Sequence, residues 1–530
     1  MKKYIFLTTV QMLSSLLSSA QTTKTNASLR LLGTRSWIRV DMKDSVPNLS
    51  GAKVFWSKTS KKPSVANAVL GKGTKRYYIQ QVDPETTYYI WVESATGNLL
   101  AQGKSYTSKS WELDEAELEE VRKKPSSRAV PPGMEVYWQD EFNDQLLNRN
   151  KWSTNYFSSL NYLNEKSKQE MLQDRLPQPA YTLDGDAINL YVNDTIPTRI
   201  FTEGGNQKIS SIQTYEWKTN ENLLDNSKGG YFEVRVRRNR QGNPKGTNTA
   251  FWFDSPGPDI RYYLQEGSEA NGIKGIRPKG QLFEIDVFEY ITAQFVIHGH
   301  VDSKGVFQRN LATHIAEGYE HAGQWVTHGI LWTPTSIKHY INGNLIKEYT
   351  NKNQIYSPNH FMNIFLGAYG SEGGVNMEVD YIRAYNWPLK DGNELPNPDF
   401  EGKTGLSPWE GDVRVEDGAG EKRSKAVVLA SGQKIEQYVY LDPEQLFNLT
   451  YWGKGGNIKL EVDDVTVVTG KLSSLKQQMQ NLGKKGKKRD ISFVTGQEIK
   501  PNKKIVRITF TNTSKERVYL DNIILKKNRF

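Results

Sequence analysis

Apolar and polar residues alternate along most of the chain in short runs of period two, with turn residues between the runs. Trp37-Ile38-Arg39-Val40, Ala52-Lys53-Val54-Phe55-Trp56, Tyr77-Tyr78-Ile79 and Tyr88-Tyr89-Ile90-Trp91-Val92 read as strands. So do Ala187 to Val192, Tyr231 to Val236, Phe295 to His298, Met377 to Ile382 and Val518 to Leu525. Ile341-Asn342-Gly343-Asn344 predicts a tight hairpin. Long helical periodicity is absent; only Trp111 to Lys124 reads as a short helix, its acids early and its bases late as the helix dipole prefers. The pattern predicts an all-β protein.

One run carries a conflict. Phe283-Glu284-Ile285-Asp286-Val287-Phe288-Glu289-Tyr290 is built of strand formers, yet threads three carboxylates through at relative positions 0, +2 and +5. On a regular strand the first two share a face and the third points to the other. A β-bulge at Val287-Phe288 restores the parity and puts Glu284, Asp286 and Glu289 on one side. Like charges so gathered repel, so stability gives no reason for the arrangement. Proton transfer and nucleophilic attack do; a calcium site or a solvated strand face would also use acids.

Composition shifts divide the chain. Residues 1–20 read as a secretory signal: Lys2 and Lys3 lead an apolar run to Leu17, and Ser18-Ser19-Ala20 supplies a cleavage site before Gln21. That run is too short and too polar to span a membrane. Residues 22–110 have the pattern of a small β-sandwich, and residues 111–133 are the short helix followed by a Pro- and Ser-rich linker, Pro125 to Gly133. Residues 134–388 form the large unit, simplest as a β-sandwich of jelly-roll type, and residues 390–530 a third β-rich unit. A basic loop, Gly483 to Arg489, reads first as a solvated surface.

Lys and Arg exceed Asp and Glu by 69 to 59, a formal net charge of +10, which leans toward anionic partners. No nucleic-acid motif accompanies it. The chain has no Cys, which removes disulfides, thiolate metal sites and a lipidated N-terminal Cys. A soluble, monomeric, secreted or periplasmic protein without a membrane anchor is expected. Its 13 Trp, 27 Tyr and 19 Phe suit open carbohydrate-binding surfaces.

At this point the central unit resembles glycoside hydrolase family 16. Glu284-Ile285-Asp286-Val287-Phe288-Glu289 looks like that family's active-site strand in its bulged form. Trp138 to Asn143, Gly229 to Arg235, Thr249 to Phe253, Trp332-Thr333-Pro334 with Tyr340 to Gly343, and Met377 to Tyr385 are similar to its other landmarks, in order. The resemblance implies a concanavalin-like jelly roll that cuts internal β-linkages of a polysaccharide with retention of configuration. The class spans β-1,3-glucans and galactans such as agar, porphyran and carrageenan. It implies Glu284 as nucleophile, Glu289 as general acid/base and Asp286 as support between them. Trp252 becomes a sugar platform, and His298 and His300, two apart and so on one face of the next strand, become substrate contacts. No metal ligand set and no required cofactor are implied, although a structural calcium ion is compatible with such sandwiches.

Asp254 to Gly280 is longer than the shorter family pattern, so it bears on substrate preference. Asp83 to Tyr89 resembles the corner of fibronectin type III domains. The C-terminal unit resembles carbohydrate-binding modules through Asn397 to Glu401, with Trp409 and Trp452 as either sugar platforms or core residues. Arg235, Arg237, Arg261 and Arg277 could meet anionic groups on a sugar but read first as surface charges. Two other classes compete: a non-catalytic glycan-binding or adhesive protein, and a calcium-stabilised structural protein.

Overall fold

The computed structural model describes residues 29–33, 37–42, 51–70, 76–80, 82–83, 86–107, 124, 127–154, 156, 178–200, 206–216, 221–254, 269–270, 273–274, 282–290, 294–301, 307–308, 312–316, 322–350, 362–402, 404–441, 445–472, 493–499 and 505–527. Two compact units divide between Ala116 and Glu117. The expected signal, the helix before Lys124 and the basic loop at 483–489 lie outside the described residues. Among the described residues every ladder is antiparallel, and the one helical segment is the 3-10 turn Glu421–Arg423. No described helix is long and apolar enough to cross a membrane. The all-β expectation holds.

In the first unit, Leu29–Gly33, Trp37–Met42 and Arg76–Gln80 form a three-stranded sheet. Lys53–Ser57, Thr87–Glu93 and Leu99–Tyr106 form a second with the short Ala68–Val69. Period-two alternation sends Tyr88, Ile90 and Val92 inward, where they meet Ile38, Val40 and Ile79 of the other sheet. Tyr88 Oη accepts a hydrogen bond from the Asp83 backbone N at 3.0 Å and fixes the approach to its strand.

The second unit holds two sandwiches with separate cores. The larger packs two eight-stranded sheets face to face. Its first sheet runs Asn344–Tyr349, Ile337–Ile341, Trp325–Trp332, Gly230–Lys245, Glu372–Asn386, Ile188–Val192, Tyr181–Leu183, with Glu135–Asp140 also on Glu372–Asn386. The second runs Arg199–Ile200, Asn206–Gln213, Asn363–Gly370, Asn248–Asp254, Leu282–Glu289, Gln294–Val301, Phe307–Gln308, with Ala312–Ile315 on Gln294–Val301. Val234, Val236, Ile330, Val379 and Ile382 from the first sheet meet Phe251, Phe253, Ile285, Phe295 and Leu366 from the second. Each such side chain contributes about 1.5–3 kcal/mol by leaving water, so the two-sheet core dominates the stability. Trp138 and Trp332 are buried in it, as expected. The predicted hairpin closes at Asn342 and Gly343, both at positive φ (48° and 76°), as its turn type demands.

The Pro- and Ser-rich stretch is no free tether where it is described. Ala129, Val130 and Met134 pack on Tyr231, Leu331 and Tyr385 over the outer face of the first sheet. The Pro132 carbonyl accepts from Trp387 Nε1 (3.0 Å) and from Ser407 Oγ (3.2 Å) of the C-terminal sandwich. Flexible composition is thus overridden by apolar burial and paired backbone groups.

The C-terminal sandwich packs a five-stranded sheet on a four-stranded one around Leu429, Val439, Leu449, Ile508 and Leu520. Its two tryptophans are both buried. Trp409 is 3% exposed among Phe400 and Phe510, its indole N donating to the Asn397 carbonyl, and Trp452 is 5% exposed. Trp409 fills space in the sandwich core, while Trp452, outside that core, is buried with the Lys454 ammonium 5.7 Å from its ring.

Candidate active site

Leu282–Glu289 lies between Asn248–Asp254 and Gln294–Val301. Against the first neighbour, Glu284 faces Asp254, Ile285 faces Phe253 and Asp286 faces Trp252, but Phe288 then faces Phe251. Two steps on one strand match one on the other, so Val287 is the extra residue. Against the second neighbour, Asp286 faces Val296 and Glu289 faces Gln294, three steps against two. The bulge therefore sits at the predicted place. Val287 and Phe288 are both fully buried in the core, which a regular strand cannot do for consecutive residues. Burying two such side chains contributes about 1.5–3 kcal/mol each, against about 0.5–1.5 kcal/mol for a disrupted ladder bond, so the bulge wins. Parity is reversed across it. Glu284, Asp286 and Glu289 share the face turned away from the core, with Ala250, Trp252 and Asp254 beside them.

The electrostatics are those of crowded acids. Asp286 is 2% exposed, and its burial, with the charges of Glu289 and Asp254 adding, holds its carboxyl well above the usual carboxylate range. Glu284 and Glu289 are half-buried. Glu289 Oε1 accepts from Asn248 Nδ2 at 3.0 Å, and Asn248 Oδ1 accepts from the Tyr290 backbone N at 2.5 Å. Burial pushes the Tyr369 phenol up, so it is a neutral donor beside these acids.

The other expected residues distribute as follows. Register places His298 directly across from Glu284 and His300 across from Leu282. Trp252 faces Asp286 on one side and Phe365 on the other, on the same side of the sheet. It is 7% exposed, stacked on Phe365 at 4.1 Å and 14°, with its indole N donating to Tyr369 Oη at 3.1 Å. Phe365 covers one face of the ring, and the side chain as a whole is buried in a cluster with Ala250, Phe365, Tyr156 and Tyr369. Arg235 and Arg237 belong to the first sheet, pair with Asp380 and Glu378, and both lie 4.8 Å from the Trp325 ring. Arg261 and Arg277, with most of the long insertion, lie outside the described residues. Among the described residues no group of three or more His, Asp or Glu side chains is arranged to hold a metal ion.

Three contributors escape a motif-led reading. Asn248 and Asp254 follow from Trp252 by period two, so the strand pattern held that signal. Arg238 did not announce itself: it sits in the charged run Arg235 to Arg240 and yet points into the core after Val234 and Val236.

An all-β sandwich with carboxylates collected by a bulge on one strand is suited to acid/base and nucleophilic work. The large sandwich is a glycosidase domain: residues 225–383, which include the bulged strand, match the model for glycosyl hydrolases family 16. Among solved structures, the chain is similar to a GlcNAcα1-4Gal-releasing endo-β-galactosidase from Clostridium perfringens, at 17% identity and a TM-score of 0.35, covering 60% of this chain and 81% of that one. It is also similar to a laminarinase catalytic domain from Thermotoga maritima, at 15% identity and 0.31, covering 48% and 98%. An endo-β-1,3-glucanase from Pyrococcus furiosus is similar at 20% identity and 0.31, covering 48% and 94%. No curated protein sequence matches the chain.

Proposed function

We propose that the protein is a secreted or periplasmic, endo-acting, retaining glycoside hydrolase that cleaves internal β-linkages of a polysaccharide. A β-galactan of the agar, porphyran or carrageenan kind, or a β-1,3-glucan, is the substrate class. The observation that carries this is the bulge, which brings Glu284, Asp286 and Glu289 to one side of a strand within the family-matched segment.

A retaining reaction needs two carboxyl groups about 5–5.5 Å apart, one to attack the anomeric carbon and one to protonate the leaving oxygen. Glu284 attacks and forms the glycosyl–enzyme ester while Glu289 gives its proton to the departing sugar. Glu289 then takes a proton from water, which attacks the same carbon and releases Glu284. Asp286, its carboxyl pushed up by burial with the charges of Glu289 and Asp254 adding, supports the pair from between them. Trp252, His298 and His300 are the contacts to the sugar chain in this reading. These steps require no cofactor.

Product release from a panel of β-glucans and red-algal and host galactans, comparing wild type with Glu284→Gln, tests the reading. Oligosaccharides from one polymer, absent with the variant, support it and name the substrate. No release from any polymer, with wild type and variant binding a glycan equally, replaces it with a glycan-binding protein.

A further inference from the structure

The bulge is held from beneath by a buried cation. Arg238 is 1% exposed, on the strand Gly230–Lys245 of the opposite sheet, and follows the inward positions Val234 and Val236. Its guanidinium lies 4.2 Å from the centroid of Phe288, one of the two core residues of the bulge. Nη1 donates to the carbonyl of Tyr290 and to Thr249, at 3.2 Å to Oγ1 and 3.4 Å to the carbonyl oxygen. Tyr290 follows Glu289 and stands at φ 54°, a left-handed conformation that a side-chain-bearing residue adopts only when its surroundings impose it. Its carbonyl is gripped by Arg238 and its N–H by Asn248, whose amide also reaches Glu289.

We infer that Arg238 is a positioning residue for the carboxylate pair: it locks the exit of the bulge through Phe288 and Tyr290, and so fixes where Glu289 stands relative to Glu284. A cation is otherwise costly in an apolar core. A hydrophobic side chain would fill the same space but could not hold a carbonyl turned by a positive φ. This inference rests on the proposed role of Glu289 as acid/base.

Two variants of the full chain test it. Arg238→Met keeps the packed stem and removes the fork; Arg238→Lys keeps the charge. The account predicts that Arg238→Met lowers kcat at least tenfold with KM within about twofold, because the sugar-facing side is untouched. Arg238→Lys recovers part of the loss. Hydrogen exchange at 286–290 accelerates in Arg238→Met while the strands Gly230–Lys245 and Glu372–Asn386 keep their protection. Adding Tyr290→Gly restores part of kcat, since glycine takes the left-handed conformation without help. A folded Arg238→Met with unchanged kcat and unchanged exchange at 286–290 overturns the inference. If neither Arg238 variant folds, Tyr290→Gly with Asn248→Ser in the wild-type background decides: loss of kcat from Asn248→Ser that Tyr290→Gly restores supports the lock, and no loss overturns it. Wild type inactive on every polymer would instead sink the catalytic reading, while the exchange experiment would still judge the lock.

Discussion

The two outer faces of the large sandwich treat acidic residues in opposite ways. On the first sheet every acid of note meets a donor or a cation. Glu233, fully buried, accepts from Ser127 N and Oγ, Tyr231 Oη (2.7 Å) and Tyr381 Oη (2.9 Å). Glu141 takes a two-pronged ion pair from buried Arg383 at 2.7 and 2.8 Å, and Asp380 pairs with Arg235 and Lys124. On the second sheet acids face acids: Asp254 is across from Glu284, and Asp286 stands between Glu284 and Glu289 with its carboxyl pushed up. Acids matched by partners stabilise a fold. Acids gathered on one strand cost stability, and such a cost persists where chemistry uses it.

Substitutions should therefore have opposite signatures on the two faces. Glu284→Gln should lower hydrolysis roughly 10⁴-fold or more without lowering the melting temperature, and Glu289→Gln roughly 10²–10⁴-fold, read as product release with thermal unfolding alongside. Glu141→Gln should do the reverse. Removing one partner of a buried ion pair costs about 3–5 kcal/mol, read as a lower denaturation midpoint with activity retained in the folded fraction. A catalytic loss from Glu141→Gln at unchanged stability would break the comparison.

Asp286→Asn sharpens it. A carboxyl whose folded pKa is raised above its unfolded value contributes stability below the unfolded pKa and loses it as pH rises through the folded one. The amide removes that loss. Its melting temperature should exceed wild type at neutral pH, while turnover falls. A lower melting temperature at neutral pH would contradict the crowding of acids.

The smallest effect concerns the core between the faces. His314 Nδ1 meets Tyr349 Oη at 2.7 Å and its Nε2 meets His339 Nδ1 at 3.0 Å. Burial, with Lys347 adding, pulls His314 down to about 4, and burial with His328 and His314 holds His339 well below its ordinary value. Bases depressed by folding take up protons more readily when unfolded. Stability should be full above pH 6.5, the ordinary value, and fall as pH drops from there toward about 4. His339→Leu should flatten that decline in melting temperature between those limits; an unchanged slope would remove this cluster from the acid sensitivity.

Much of this was legible in the chain. The bulge followed from a parity conflict that only one geometry resolves, and the hairpin from Asn342-Gly343. Period two gave the strands, since each buries one face. What escaped did so because composition misleads where tertiary context decides. Arg238 sits in a run of charge yet turns inward, because its strand alternates and Phe288 and the Tyr290 carbonyl await it. Residues 127–134 have linker chemistry yet pack down, because Tyr231, Leu331 and Tyr385 need cover. Trp409 looked like an open platform, but in a small sandwich a large ring is more useful inside.

The most direct test is the configuration of the first-formed product. Proton NMR of a wild-type digest of the responsive β-linked polymer, recorded before mutarotation, should show the β-anomer of the new reducing end appearing first. Appearance of the α-anomer first would mean a single displacement, and Glu284 would not be the nucleophile.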